Sequence, residues 1–189
     1  MNSQHSVTAK GRVFVIAAPS GTGKTTIAKL IAAEGADQFN TIELDASDLT
    51  PARLREIENS MSLYALGVKP GRAYIVNESH ALRRDTIGKL LVMLERIPDH
   101  VCWIFTTTTD GQEQFTFDKM DANPLLSRCL RIDLSRRGLA EAFAERAREI
   151  ATAAGLNGQP IEAYVRLAKQ ERNNLRSMLQ RVDAGEMMG

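Results

Sequence analysis

Short apolar runs recur along the chain at Val13-Phe14-Val15-Ile16-Ala17, Asn40-Thr41-Ile42-Glu43-Leu44, Ala73-Tyr74-Ile75-Val76 and Val101-Cys102-Trp103-Ile104-Phe105, with a shorter one at Leu130-Arg131-Ile132-Asp133-Leu134. The first is continuous rather than alternating and is bounded by Gly11 and Pro19, the form of a strand buried on both faces of a parallel sheet. Between the runs, apolar residues fall at helical spacing: from Thr25 to Ala33, from Pro51 onward behind Thr50 as N-cap, and with Ile87, Leu90, Leu91 and Leu94 on one face. Strand and helix therefore alternate. Parallel neighbours need a crossover connection and a helix supplies it, so the pattern predicts an α/β fold, a parallel sheet with helices on both faces.

From Ser135 the strand pattern stops. Three helices are predicted instead, over Gly138 to Ala154, Pro160 to Gln170 and Asn173 to Val182, the last with Leu175, Met178, Leu179 and Val182 on one stripe. The expected organisation is a sheet domain over residues 1–134 followed by a small helical lid over residues 135–189, with the boundary near Leu134 to Arg136. The polar stretch from Gly111 to Asn123 is the longest loop expected, and the chain shows no internal repeat.

Composition narrows the choice of partner. At 189 residues and 43% apolar content the chain can build one main core and a small appendage, but not two large domains. The formal net charge of +1 announces neither a nucleic acid nor a membrane, so any DNA contact has to be local. Cys102 and Cys129 lie in or beside apolar runs, which predicts buried, reduced thiols and a cytoplasmic setting. Met1 to Gly11 holds no apolar signal segment, and no stretch approaches the roughly 20 apolar residues of a membrane span, so no membrane partner is expected.

The chemistry starts immediately after the first strand. Ala18-Pro19-Ser20-Gly21-Thr22-Gly23-Lys24-Thr25 matches G-x-x-x-x-G-K-[ST] except for Ala18 at the first glycine, and a helix follows it. In such a loop, successive backbone N–H groups wrap phosphate oxygens at a helix N-terminus, where unsatisfied donors and the helix dipole both favour negative charge. Gly21 and Gly23 permit the backbone angles of the wrap. Lys24 would reach the β- and γ-phosphates, and Thr25 would place its hydroxyl on Mg²⁺, so ATP and Mg²⁺ are the expected ligands, with Thr26 completing the loop. An ordinary Gly-rich turn would account for the glycines but not for a Lys-Thr pair at this offset.

Tyr74-Ile75-Val76-Asn77-Glu78 has the form of the second nucleotide motif, an apolar strand tipped with polar groups that orient Mg²⁺ and activate water. The first carboxylate is replaced by Asn77, whose amide oxygen can still serve metal-bound water but brings no charge. Glu78 is the candidate general base; the alternative is a solvated loop carboxylate. His80 reads as a structural hydrogen-bonding residue.

Glu43-Leu44-Asp45-Ala46-Ser47-Asp48, Val76-Asn77-Glu78-Ser79-His80-Ala81-Leu82, Ile97-Pro98-Asp99-His100-Val101 and Pro124-Leu125-Leu126-Ser127-Arg128-Cys129-Leu130 resemble, in order and spacing, the landmarks of sliding-clamp-loader subunits of the AAA+ ATPases. Both the bacterial DNA polymerase III tau-gamma type and the replication factor C small-subunit type are similar, from about Val13 to Val182. The resemblance implies an ATP-hydrolysing subunit of a homo- or hetero-oligomer with other AAA+ subunits, acting with a sliding clamp and primer-template DNA. In that family Ser-Arg-Cys carries an arginine finger, so Arg128 would reach the γ-phosphate held by a neighbouring subunit; in isolation it reads as a surface residue over a buried one. The family's polar sensor at the end of the fourth strand corresponds best to Thr108 within Thr106-Thr107-Thr108-Thr109, although β-branched hydroxyls are common at strand ends. Asn173-Asn174-Leu175-Arg176 resembles the second sensor, implying that Arg176 points toward the phosphates rather than covering a solvated face. Arg83, Arg84 and Lys89 occupy a region that tracks DNA in that family, with a solvated basic face as the equal alternative.

The resemblance also implies a longer N-terminal region packing on adenine and a collar domain driving assembly. Only Met1 to Arg12 precede the first strand and the sequence stops at Gly189. Together with Asn77 these departures lead to an expectation of reduced or partner-dependent hydrolysis. Two other readings stand beside the first: a nucleotide-binding scaffold with little hydrolysis, supported by Asn77, and a small-molecule P-loop kinase, for which no acceptor signature is present.

Overall fold

The computed structural model describes residues 13–108, 125 and 128–188. Its elements run β1 (Val13–Ala18), α1 (Lys24–Gly35), β2 (Ala36–Asp45), α2 (Pro51–Met61), β3 (Gly71–Asn77), a 3-10 turn (Ser79–Ala81), α3 (Arg84–Leu94), β4 (Val101–Thr108) and β5 (Leu130–Asp133). Three helices follow, α4 (Ala140–Ala153), α5 (Ile161–Gln170) and α6 (Leu175–Asp183). The strands form one parallel sheet in the order β2-β3-β4-β1-β5, flanked by helices, which is the α/β class that the alternating pattern predicts. Asn40 to Leu44 and Ala73 to Val76 become neighbours through the register Ile42↔Tyr74 and Leu44↔Val76.

Of the described residues, those up to Ala17 and from Lys24 to Asp133 form one compact unit, while Ala18–Gly23 and those from Leu134 onward form a second. In the sheet unit, side chains alternate across the strands. Val13, Val15, Tyr74, Val76, Val101, Trp103 and Phe105 share a core with Leu54, Ile57 and Met61 of α2 and Ile87, Leu90, Met93 and Leu94 of α3. An aromatic ladder runs through it: Tyr74 pairs with Trp103 across the strands at 4.8 Å between ring centroids, and Trp103 stacks on Phe105 at 5.9 Å. Outside that cluster, α1 packs on β2, β3 and β4, burying Ala28 and Ala32. The helical unit has a different core, built on Ala140, Ala144, Ala147, Ala151, Ala163 and Ala168 around Tyr164, Leu167, Met178 and Val182.

Several expectations shift in detail. β2 starts at Ala36, directly after α1, because the α2–β3 loop supplies partners to its first half: the Asn40 side chain donates to the Leu66 carbonyl at 3.0 Å, and the Lys69 amide donates to Asp37 at 3.1 Å. On α3 Leu91 is only half-buried, and Met93 is buried in the core. Asn173 lies outside α6, since Arg172 and Asn173 both take left-handed backbone angles and Asn174 caps the helix. Cys102 is buried as expected, whereas Cys129 is half-buried beside the exposed Leu130 of edge strand β5. Both cysteines are free, and burial pushes each thiol up to about 12, so neither is a thiolate at neutral pH. Among the described residues no helix is long and apolar enough to cross a membrane. The long loop predicted from Gly111 to Asn123 and the residues Pro124, Leu126 and Ser127 lie outside the described residues.

Candidate nucleotide-binding site

In parallel α/β sheets, ligands collect at the carboxyl ends of the strands, because the loops that leave those ends carry the polar side chains and the helix N-termini. Here β3 ends at Asn77 and β4 at Thr108, and Lys24 and Thr25 open α1. Lys24 is buried, only 8% exposed, and its ammonium donates to Thr108 Oγ1 at 3.0 Å. The Thr108 hydroxyl in turn lies 3.0 Å from Glu78 Oε2 and 3.3 Å from Oε1. Glu78 holds a left-handed backbone (φ 51), a conformation that costs a non-glycine residue about 1 kcal/mol or more and that turns the chain from β3 into the 3-10 turn. His80 Nδ1 sits 3.4 Å from both Glu78 Oε2 and Thr107 Oγ1, the hydrogen-bonding place its sequence context predicts.

A second chain of bonds passes through Asn77. Its amide oxygen accepts from Thr25 Oγ1 at 3.1 Å and from Thr106 Oγ1 at 3.0 Å, while its amide nitrogen donates to Glu43 Oε1 at 2.8 Å. Glu43 also pairs with Lys29 at 2.8 Å. That hydrogen bond holds the Glu43 carboxyl below its ordinary value, against burial and with help from the Asn77 amide. Sequence reasoning missed Glu43 and Thr106 as parts of this cluster. The signal was the register of neighbouring strands, in which Asp45 pairs with Asn77 and Glu43 with Ile75, and no single strand displays it.

Ala18–Gly23, the greater part of the Gly-rich loop, belongs to the helical unit. Gly21 and Gly23 have φ of 74° and 90°, the left-handed region that glycine enters without steric cost. A Cβ on Gly21 would lie 1.8 Å from Asn174 Oδ1, so the position excludes any side chain on packing grounds as well. Thr22 Oγ1 donates to the Pro19 carbonyl at 2.7 Å, closing the loop on itself. Ala18 ends β1 fully buried, Pro19 and Ser20 are half-buried, and Thr26 is exposed on the first turn of α1. The Leu175 amide donates to the Gly21 carbonyl at 3.2 Å, and the Arg136 guanidinium donates to the Ser20 carbonyl.

The Arg128 guanidinium pairs with Glu95, the C-cap of α3, in the same chain. Arg176 is exposed on the first turn of α6. Arg83 caps α3, Arg84 opens it, and both are exposed. Lys89 is exposed too, on the rim of a groove between α2 and α3 lined by Leu54, Val92 and Met93.

This donor set suits a polyphosphate. A buried ammonium at a helix N-terminus favours an anion over water. The neutral oxygens of Thr25 and Asn77 could serve a cation bound with the phosphates; among the described residues no group of three or more His, Cys, Asp or Glu could hold one.

Comparison with known proteins agrees with this fold and motif. The sequence profile of the ATPase family associated with various cellular activities (AAA) matches residues 14–136, most of the sheet unit. Curated relatives include a DNA polymerase III subunit gamma/tau of Mycoplasma pneumoniae, 29% identical over 199 aligned residues, 90% of this chain and 27% of the relative. A DNA polymerase III subunit tau/gamma of Haemophilus influenzae is 27% identical over 93% of this chain and 27% of its own length. The chain thus spans less than a third of the curated relatives it matches. Among solved structures, a point variant of Thermotoga maritima RuvB superposes with a TM-score of 0.68 at 21% identity, over 91% of this chain and 53% of that one, a likeness of fold. With the family profile covering well over half of its length, this chain belongs to the ATPase family associated with various cellular activities (AAA).

Proposed function

We propose that this AAA chain binds and hydrolyses ATP as one subunit of an oligomer of the clamp-loader kind, acting with a sliding clamp on primer-template DNA. The observation that carries the reading is the bonded chain Lys24–Thr108–Glu78 at the carboxyl ends of β3 and β4, next to Thr25 and Asn77. Lys24 and the loop amides of Gly21 to Thr25 hold the phosphates, and Thr25 with Asn77 orients Mg²⁺. Bound ATP and Mg²⁺ supply the transferable phosphoryl group and a charge that screens it. Glu78 accepts the proton of the attacking water, and Thr108 holds its carboxylate in place. Arg128 acts in trans on a neighbour's nucleotide, Arg176 acts from the lid, and Arg83, Arg84 and Lys89 contact DNA phosphates.

The decisive measurement is steady-state ATPase against protein concentration, with and without primed DNA and candidate partner subunits. Activity should rise with concentration, vanish in Lys24→Ala and collapse in Arg128→Ala. Glu95→Gln sharpens the role of Arg128: it should preserve activity, whereas an Arg128 that serves only to cap α3 through Glu95 would make the two variants behave alike. Turnover independent of concentration that requires a small acceptor would point to a kinase instead.

A second reading is favoured by the bonding of Asn77. Because its amide nitrogen donates to Glu43, the position is matched to an amide and not to the carboxylate usual there. That supports a scaffold subunit which holds ATP and turns it over slowly. Tight ATP binding with negligible turnover in every assembly would select it.

A further inference from the structure

The helical unit holds two consecutive carbonyls of the Gly-rich loop. Arg136, in the stretch between β5 and α4, donates its guanidinium to Ser20 O, and the Leu175 amide donates to Gly21 O at 3.2 Å. Both donors are themselves fixed. The Asn173 side chain donates to the Arg136 carbonyl at 2.7 Å. Arg172 and Asn173 stand in left-handed geometry, φ 51 and 56, a turn secured by the Asn173 amide on Ala168 O at 2.8 Å and the Asn174 amide on Glu171 O at 3.0 Å. Asn174 then caps α6 by accepting from the Ser177 amide at 3.2 Å, leaving Leu175 as the first helical residue with its N–H aimed at the loop.

A trans peptide is planar, with C=O and N–H pointing in opposite directions. Holding the Ser20 carbonyl therefore orients the Gly21 N–H, and holding the Gly21 carbonyl orients the Thr22 N–H. We infer that Arg136 and the Leu175 amide are positioning groups which turn the Gly21 and Thr22 N–H groups outward as donors for a nucleoside polyphosphate. The inference rests on the nucleotide reading above and adds to it a role for Arg136 that involves no contact with the ligand. An anion cradle of main-chain amides binds well only when its donors are aligned beforehand, since realigning them would consume binding energy. Arg136 suits the task because a charged donor to a carbonyl is stronger than a neutral one.

Three variants of the full chain test this, with ATP affinity by calorimetry in Mg²⁺ and the backbone order parameters of Gly21 and Thr22 measured by NMR relaxation without nucleotide. Arg136→Ala should lower the order parameter of the Gly21 amide and weaken ATP binding about tenfold, and Arg136→Lys should restore most of both. Leu175→Pro removes one N–H at the first helical position, where proline is tolerated and the extended Asn174 already suits it. It should keep the helix content of the wild type, yet lower the order parameter of the Thr22 amide and weaken ATP binding several-fold. Should Arg136→Ala fail to fold, Leu175→Pro carries the test alone. Wild-type ATP affinity in whichever of Arg136→Ala and Leu175→Pro fold would overturn the inference, whether or not the order parameters change. A wild-type chain that binds no ATP would sink the nucleotide reading instead, and the role in phosphate binding with it, even where the order parameters show the two donors holding the loop.

Discussion

The sheet unit and the helical unit are packed on different principles. In the first, Tyr74, Trp103 and Phe105 stack among Leu, Ile and Val, and the largest fully buried side chains are concentrated there. In the second, six alanines let three helices approach closely, and only a few large side chains fill the space between them. Apolar burial stabilises in proportion to area, about 25 cal/mol per Å², so an alanine core contributes far less than an aromatic one. The contrast teaches where mobility is affordable. Lys24, Thr108, Glu78 and Asn77 sit on the unit with the larger hydrophobic reserve, while Ala18–Gly23 of the Gly-rich loop belong to the unit with the smaller one. Elements that must respond to a ligand are drawn from the less stable parts of a fold.

The largest effect expected is that of emptying the aromatic ladder. Trp103→Ala should cost about 3–5 kcal/mol and lower amide protection across β3 and β4. Exchange in α4 to α6 should change little; if those helices lose protection equally, the units unfold as one and the contrast between them is wrong. Overfilling the helical core is the reverse experiment. Ala147→Leu, at a fully buried position, should cost about 1–3 kcal/mol and open α4, α5 and α6 while β1, β3 and β4 keep their protection.

The smallest effect sharpens the polar side of the contrast. Asn77→Asp would place a carboxylate where Glu43 Oε1 now accepts a hydrogen bond at 2.8 Å, so the single change should destabilise by about 1 kcal/mol. Adding Glu43→Gln should recover that loss, and a double-mutant cycle showing no coupling would remove Glu43 from the cluster. The same pair gives a pH dependence. Because Lys29 and Asn77 hold the Glu43 carboxyl below its ordinary value, the stability it contributes is complete above that value and is lost as pH falls through the lowered one. Glu43 is partly exposed, so the contribution is small, and Glu43→Gln should flatten the acid limb of the melting curve only slightly.

Much of this was legible in residue order. The continuous run Val13 to Ala17 announced a strand buried on both faces, and Gly21 and Gly23 announced a loop of left-handed backbone ahead of a helix, because few residue types enter those angles without cost. The fold class followed from alternation, since only a helical crossover joins parallel neighbours. What residue order could not carry was pairing between distant segments. The sheet order β2-β3-β4-β1-β5 brings Glu43 against Asn77 and Lys24 against Thr108, contacts spanning 34 and 84 positions. Arg136 looked like any basic linker residue until the turn at Arg172 and Asn173 set the start of α6 against the loop. Local conformational preference acts over a few residues and is written in the chain; the direction of a side chain toward a partner far along it depends on how strands register and helices pack, and only the folded molecule decides that.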